Sequence, residues 1–546
     1  MKKQFSQLFV TVLAVLAYFP LSAWACGGFF CQLTPIDQAG EQIVFRQDGG
    51  NVTALVQIQY TGESENFAWV VPVPGIPEFQ IGSDLLFSPL DVATRPQFVL
   101  ERTGAGCPVT RFPDGDASTV ALSESADDGE DDGAVEILQT VTVGPFDIEV
   151  VTSDDETALA TWLEENNFDL SDRGRELIAP YVEQGMNFVT LKLSQNQGVG
   201  DIQPLMMTYQ SSAPMIPIRL TAVAAEPDMG ILVWILGDAR AVPTNFFHVT
   251  PNYTQLNWYT GANNAYASYQ DLITAAMDEA GGQGFATDYA GTDFSFVDSL
   301  PSVAQLNEAL AELQLTSDDA LFISLLYNSS VFPQDKSIEM LSRLLPLPDD
   351  RDDSFYANTS FLNSSFSDND LSTARTAIAA ELTSSVIEPL DESLALFNGA
   401  AYMTRLYTTL SPEEMTVDPV FGFNSEMDGQ QLDRHATMNQ SCVEGEDRWT
   451  LTLGEGTGRE GELVIDMAGR PPFSIPVEVS EQDALWRSEV TRATGGAELK
   501  EEKEFETVVT QSDGSGNSSG GLGAINAVLL ILLAALFSVS KSSRRR

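Results

Sequence analysis

The sequence predicts an α+β protein: a β-rich N-terminal body with interspersed helices, a largely helical middle, a short β-rich C-terminal part and one C-terminal transmembrane helix. Three patterns carry this. The stretch NVTALVQIQY alternates with a period of two, which sets Val52, Ala54, Val56, Ile58 and Tyr60 on one side of a strand. From Ser268 onward, apolar residues recur at helical spacing. Near the end, Leu522 to Val539 is an almost unbroken apolar run of 18 residues, just long enough for a spanning helix. Strands and helices mix without a regular βαβ count, which favours α+β over a doubly wound sheet.

The chain opens on Met1, Lys2 and Lys3, followed by an apolar run from Leu8 to Phe19 that Pro20 ends. Small residues at Ala23 and Ala25 fit the A-x-A rule, so residues 1–25 read as a signal peptide that signal peptidase cuts after Ala25. Cys26 then leads the mature chain. Bulky Trp24 and the absence of a leucine-like residue at Ala23 argue against a lipid acceptor there.

Residues 26–260 read as the β-rich α+β domain. Strands are expected at Ile43–Phe45, Val52–Tyr60 and Phe67–Val71. In WVVPVPGIPEF, Pro72, Pro74 and Pro77 withhold ladder donors and favour an extended edge, a rigid crossover rather than a groove lined by Trp69. A helix is expected over Glu156–Glu165 with Asp154 or Asp155 as its cap, and another near Asp172–Val182. Strands follow at Phe188–Leu193, Leu205–Tyr209, Ile218–Ala225 and Ile231–Leu236.

Residues 261–410 read as mainly helical, with helices over Leu272–Ala280, Val303–Leu313, Asp318–Tyr327, Ser337–Leu345, Leu371–Ile387 and Glu392–Leu406. Pro346–Asp370, rich in Asp, Asn and Ser, reads as loop. Residues 411–495 turn β-rich again, with strands at Arg448–Leu453, Glu462–Asp466 and Phe473–Val479. Residues 496–519 are a charged, Gly/Ser-rich stalk. Residues 520–546 hold Gly520, Gly521, the apolar run and the basic end Lys541, Arg544, Arg545 and Arg546. Positive charge stays on the cytoplasmic side, so an inner-membrane helix with the body outside is expected.

The formal charge is −50, and the two end segments hold no acid, so the acidity belongs to the body. Such a body is repelled by nucleic acid and by anionic membrane faces. The four cysteines Cys26, Cys31, Cys107 and Cys442 are disulfide candidates, with three pairings open to them. Metal and cofactor sites are not expected: the chain has two histidines, His248 and His435, and no C-x-x-C pair. The acidic run Asp128–Gly133 fails as a calcium loop, because Gln139 stands where a bidentate Glu is needed.

No nucleophile elbow, H-E-x-x-H, phosphate loop or dinucleotide fingerprint is present, so no catalytic residue is assigned. His248 in NFFHVTP has the neighbours of a packed residue, and His435 lies in a polar stretch near Asp433.

In order along the chain stand CGGFFC, AGEQIVFRQDGG, FAWVVPVPG, GPFDIEVV, LATWLEENNFDL, PYVEQGMNFVTLKL, PIRLTAVAA and YMTRLYTTLSPEEMTVDPVF. This set resembles the bacterial exported family known as domain of unknown function 2330, over about Cys26 to Phe421. The resemblance implies a body outside the cytoplasm and transfers no activity, cofactor or catalytic residue. The tail, through Gly520, Gly521, the apolar run and the arginine cluster, resembles the GlyGly-CTERM sorting signal. That resemblance implies a rhomboid-type protease that cuts near the glycine pair. The function expected is that of an exported, cell-surface or secreted protein acting as a non-enzymatic binding or structural module of unknown ligand. The alternative is a secreted hydrolase built on carboxylates, such as a glycosidase, which needs two acids in one cleft.

Overall fold

A computed structural model describes residues 38–57, 67–105, 135–168, 170–194, 202–258, 262–458, 463–468 and 488–492. Its strands in chain order are β1 (Gln38–Asp48), β2 (Asn51–Gln57), β3 (Ala68–Val73), β4 (Glu78–Ile81), β5 (Gln97–Gly104), β6 (Glu136–Val143), β7 (Phe146–Thr152), β8 (Asn187–Leu193), β9 (Leu205–Gln210) and β10 (Ala225–Gly237). They continue as β11 (Ala241–Pro243), β12 (Phe247–Thr250), β13 (Gly284–Gly291), β14 (Tyr402–Leu410), β15 (Phe421–Phe423), β16 (Asp433–Val443), β17 (Glu446–Leu453), β18 (Leu463–Ala468) and β19 (Glu489–Thr491).

The run Ile231–Leu236 has no charged side chain, so a strand there must be covered on both faces. It forms the middle of β10, near the centre of a nine-stranded sheet ordered β19-β12-β13-β14-β10-β1-β2-β9-β4. β1 lies parallel to β10, with Ile43 opposite Val233, and β14 lies antiparallel on the other side, with Leu406 opposite Val233. Ile231, Val233 and Ile235 enter one core, and Leu232, Trp234 and Leu236 enter another.

The first core lies between this sheet and a four-stranded sheet ordered β3-β8-β7-β6. Val52, Ala54 and Val56 of β2 face Trp69, Val71 and Val73 of β3 across it. Ala68 and Val70 point the other way, onto helices Glu156–Glu165 and Asp172–Glu183. The second core takes helix Ala262–Glu279 and a third sheet, β18-β17-β16-β5. Helices between Val303 and Ala395 build a core of their own. Every described residue belongs to one compact unit. The result is a mixed α+β fold, β-rich in its N-terminal part and helical in its middle.

Several elements form where local chemistry places them. Asp155 caps helix Glu156–Glu165 by accepting from the amides of Thr157 and Ala158. Pro72 sits on β3, an edge strand of its sheet, where a missing donor costs no ladder bond. β2 ends at Gln57, so Ile58 and Tyr60 lie outside the described residues.

Other expectations are corrected. Ile218–Thr221 is one helical turn after Pro217, and the strand begins only at Ala225. The helix expected over Glu392–Leu406 ends at Ala395, and Tyr402–Leu410 is strand β14. Gly399 supplies the break with a φ of +73°, and the Thr-rich, aromatic run after it suits a strand buried on both faces. Asp353–Ala357 and Thr359–Ser365 are helical turns where a loop was expected, the second capped by Asn358. Leu382–Ile387 is a π-helical segment between helices Asp368–Glu381 and Glu388–Ala395.

The transmembrane helix in the expected fold class is corrected too. Among the described residues no helix is long and apolar enough to cross a membrane. The expected membrane anchor, the inner membrane and a rhomboid-type protease as partners, and a location set by a C-terminal inner-membrane helix therefore have no structural support. The segment they were read from, residues 520–546 with Gly520 and Gly521, lies outside the described residues, as do Ala25 and the signal segment. Cys26, Cys31 and Cys107 also lie outside them. Among the described residues no bridge joins two cysteines, because only one cysteine is described. Cys442, on β16, is the one described cysteine; it stands in a disulfide, and no pairing is assigned.

Candidate functional site

The two sheets that enclose the first core do not fill the space between them completely. Where β3 runs out at Val73 and Pro74, and the segment Met215–Thr221 crosses, a cavity of about 40 Å³ remains. Its walls include Trp69, Val71, Met207, Tyr209 and Ile216. A single acid stands among these apolar groups, Glu41.

Glu41 reaches this position through the alternation of β1. It precedes Ile43 and Phe45 by two and four residues, so all three share the inward face. The residue is only 8% exposed, and its Oε2 has no hydrogen-bond partner. Burial alone pushes its carboxyl up from 4.5 to about 7. An unpaired carboxylate in apolar surroundings costs several kcal/mol, so packing alone does not account for a Glu here.

Next to the cavity, a surface cleft of about 410 Å³ shares Pro74, Tyr209 and Met215 with it as a common wall. One side of the cleft is built on Asp418. Its carboxylate accepts from the Tyr181 hydroxyl at 2.8 Å and from the Arg219 amide at 3.0 Å. It also pairs with the Arg219 guanidinium at 3.0 Å, while its backbone oxygen accepts from Asn245 at 2.7 Å. Arg219 lies over the Tyr181 ring, 4.8 Å from its centre. Burial, with Asp418 beside it, pushes the Tyr181 phenol far up, so it stays a donor. The cleft wall is thus fixed and its one arginine is neutralised.

The opposite face of the nine-stranded sheet holds a buried ionic network. Arg405 Nε meets Asp288 Oδ2 at 3.0 Å, and its terminal nitrogen meets Asp91 Oδ1 at 2.7 Å. Arg405 also donates to Thr94, which accepts from the Trp234 indole at 2.9 Å. Tyr269 donates to the other Asp288 oxygen. Arg434 donates to the Asp288 backbone oxygen at 2.7 Å and to the Tyr253 hydroxyl at 3.1 Å. Arg405, Arg434 and Asp288 are at most 1% exposed. Two guanidinium groups and two carboxylates balance in charge, and the backbone takes up the remaining donors, which is how a low-dielectric core tolerates such a set.

A larger groove of about 810 Å³ follows the π-helical segment, past Ser384, Ser385, Lys336 and Arg343. Its cations are already paired, Lys336 with Asp84 at 3.0 Å and Arg343 with Glu381.

The histidines stay apart from the cleft. His248 is 9% exposed on β12, and burial followed by the charge of Arg240 pushes it down to about 3, so it remains neutral. His435 lies on β16, in a different sheet. The acidic run Asp128–Gly133 lies outside the described residues. Among the described residues, no group of three His, Cys, Asp or Glu could hold a metal. Trp69, read as part of a structural crossover, lines the cavity. Glu41 was missed, although one acid at an apolar position of an alternating strand is a visible signal.

Fold and site together define an α+β protein with two facing sheets and an apolar inter-sheet cavity that contains one buried acid. The chain belongs to the family described as "Uncharacterized protein conserved in bacteria (DUF2330)", which matches residues 20–322. Comparison with curated proteins and with solved structures gave no match.

Proposed function

We propose that the protein is a non-enzymatic binding module whose small, largely apolar ligand enters between the two facing sheets. The observation that carries this is the common wall of Pro74, Tyr209 and Met215, which places a solvent-facing cleft directly against an apolar chamber. Concave, mainly apolar sites with a few polar groups are where small ligands bind. The carboxylate hydrolase reading fits this place less well. Glycoside hydrolysis of the common kind needs two acids, and the cavity lining offers Glu41 alone.

Ligand-observed NMR with benzyl alcohol, benzylammonium and phenylacetate tests the site. At least one probe is expected to show saturation transfer from the protein, and Met215→Trp, which closes the shared wall, is expected to abolish it. No transfer from any probe, or transfer unchanged in Met215→Trp, overturns the reading.

Export rests on the signal segment read in residues 1–25 and on the family resemblance. A full-length chain that stays in the cytosol with Met1 retained would overturn it. The likeness of the tail to a GlyGly-CTERM signal likewise rests on sequence alone, through Gly520, Gly521, the apolar run and the arginine cluster.

A further inference from the structure

We propose that the ligand of this cleft carries a compact protonated amine, and that Glu41 is the group that receives it. The inference rests on the cleft being the ligand site, and it adds the chemical class.

The cavity is too small for a whole ligand. About 40 Å³ suits a head group of two or three heavy atoms, by comparison with the 10–15 Å³ that one water needs. The body of the ligand must then lie in the adjoining cleft, against Tyr209 and Met215. The head group meets one ionisable acid whose Oε2 is unpartnered, and no cationic side chain stands in the lining to neutralise it. Arg219, in the neighbouring cleft, is held by Asp418. An alcohol would leave the buried charge uncompensated. An ammonium supplies both the opposite charge and a donor, and a charge-assisted bond is about twice as strong as a neutral one.

Two features narrow the choice of cation. A bare metal ion needs several oxygen ligands, whereas the lining gives one carboxylate and the hydroxyls of Thr221 and Tyr209 among apolar groups. Trp69 and Tyr209 are aromatic members of the same wall, which suits an organic cation. Glu41 also borders a second surface groove that carries Asp228 and Asp271 besides the Arg405-paired Asp91, which attracts cations and repels anions.

Calorimetric titration of the purified protein with benzylammonium and with benzyl alcohol, its neutral counterpart, decides the matter. At about pH 8.5, where the Glu41 carboxyl is ionised, benzylammonium is expected to bind about tenfold tighter. At about pH 5.5 the carboxyl is protonated and the advantage is expected to disappear. Tyr209 is the one other titratable side chain in the lining, and burial pushes its phenol up, so it stays neutral throughout this range. Glu41→Gln is expected to make the two probes equal at both values. This variant keeps the shape and removes a buried charge, and the wild-type pH comparison stands independently of it. Equal affinity of the two probes for the wild type at about pH 8.5, or an amine preference that survives in Glu41→Gln, overturns the assignment of class while leaving the cleft as a binding site. Absence of binding by either probe overturns both.

Discussion

Replacing Arg405 by Met tests whether the buried ionic network behaves as one unit. The substitution keeps an unbranched side chain in place and removes the guanidinium that bridges Asp288 and Asp91. Asp91 is a quarter exposed and can turn to water, whereas Asp288 is fully buried and cannot. Removing one partner of a buried pair costs about 3–5 kcal/mol, because the remaining charge is uncompensated. Asp288 already has its carboxyl raised by burial, with Arg405 the main opposing influence. Loss of Arg405 raises it further above its unfolded value. A carboxyl raised in the folded state favours folding below its unfolded value and loses that contribution as pH rises. The deficit of Arg405→Met relative to wild type should therefore be largest at neutral pH and shrink toward about pH 4. Urea unfolding across this range measures it. A double-mutant cycle with Asp288→Asn should show a coupling of more than about 1 kcal/mol. A deficit below about 1 kcal/mol that does not change with pH would refute the network as a unit.

Glu41→Gln should flatten the pH dependence of stability. The wild-type carboxyl ionises at 4.5 when unfolded and at about 7 when folded, so wild-type stability falls between those values, by on the order of 3 kcal/mol. Unfolding curves that remain parallel in wild type and variant would contradict this. Tyr181→Phe, which removes one donor from Asp418 and leaves Arg219 in place, should cost about 1 kcal/mol in urea unfolding and leave Arg219 over the ring. Gly399→Ala should cost about 1 kcal/mol through its left-handed backbone alone, because a Cβ there meets nothing within 4 Å. A neutral result would show that the turn relaxes.

Much of the local structure was legible because local chemistry determined it. Asp155 before an apolar helical stripe, Pro72 as an edge marker and the burial of His248 among aromatic neighbours all followed from side chains and their immediate neighbours. The misreadings came where one residue changes the outcome. The pattern from Glu392 onward continues smoothly if Gly399 is read as tolerated, and the chain instead switches from helix to strand there. Sheet order was not legible: Leu406 of β14 reaches Val233 of β10 only by long-range pairing, which no local period encodes. The candidate site was legible in one residue only. Glu41 stands out in its strand, whereas the cavity depends on the meeting of β3, β9 and the Met215–Thr221 segment.

The matched region of the family stops at residue 322, yet β14, at Tyr402–Leu410, is wedged between β10 and β13 and hydrogen-bonded to both. A truncation made at the limit of recognisable kinship would pull out a middle plank and leave two greasy, unpaired margins open to any passing chain. The stretch the family description matches is thus shorter than the sheet it helps to build, and whoever expresses this protein in pieces should cut well beyond Leu410.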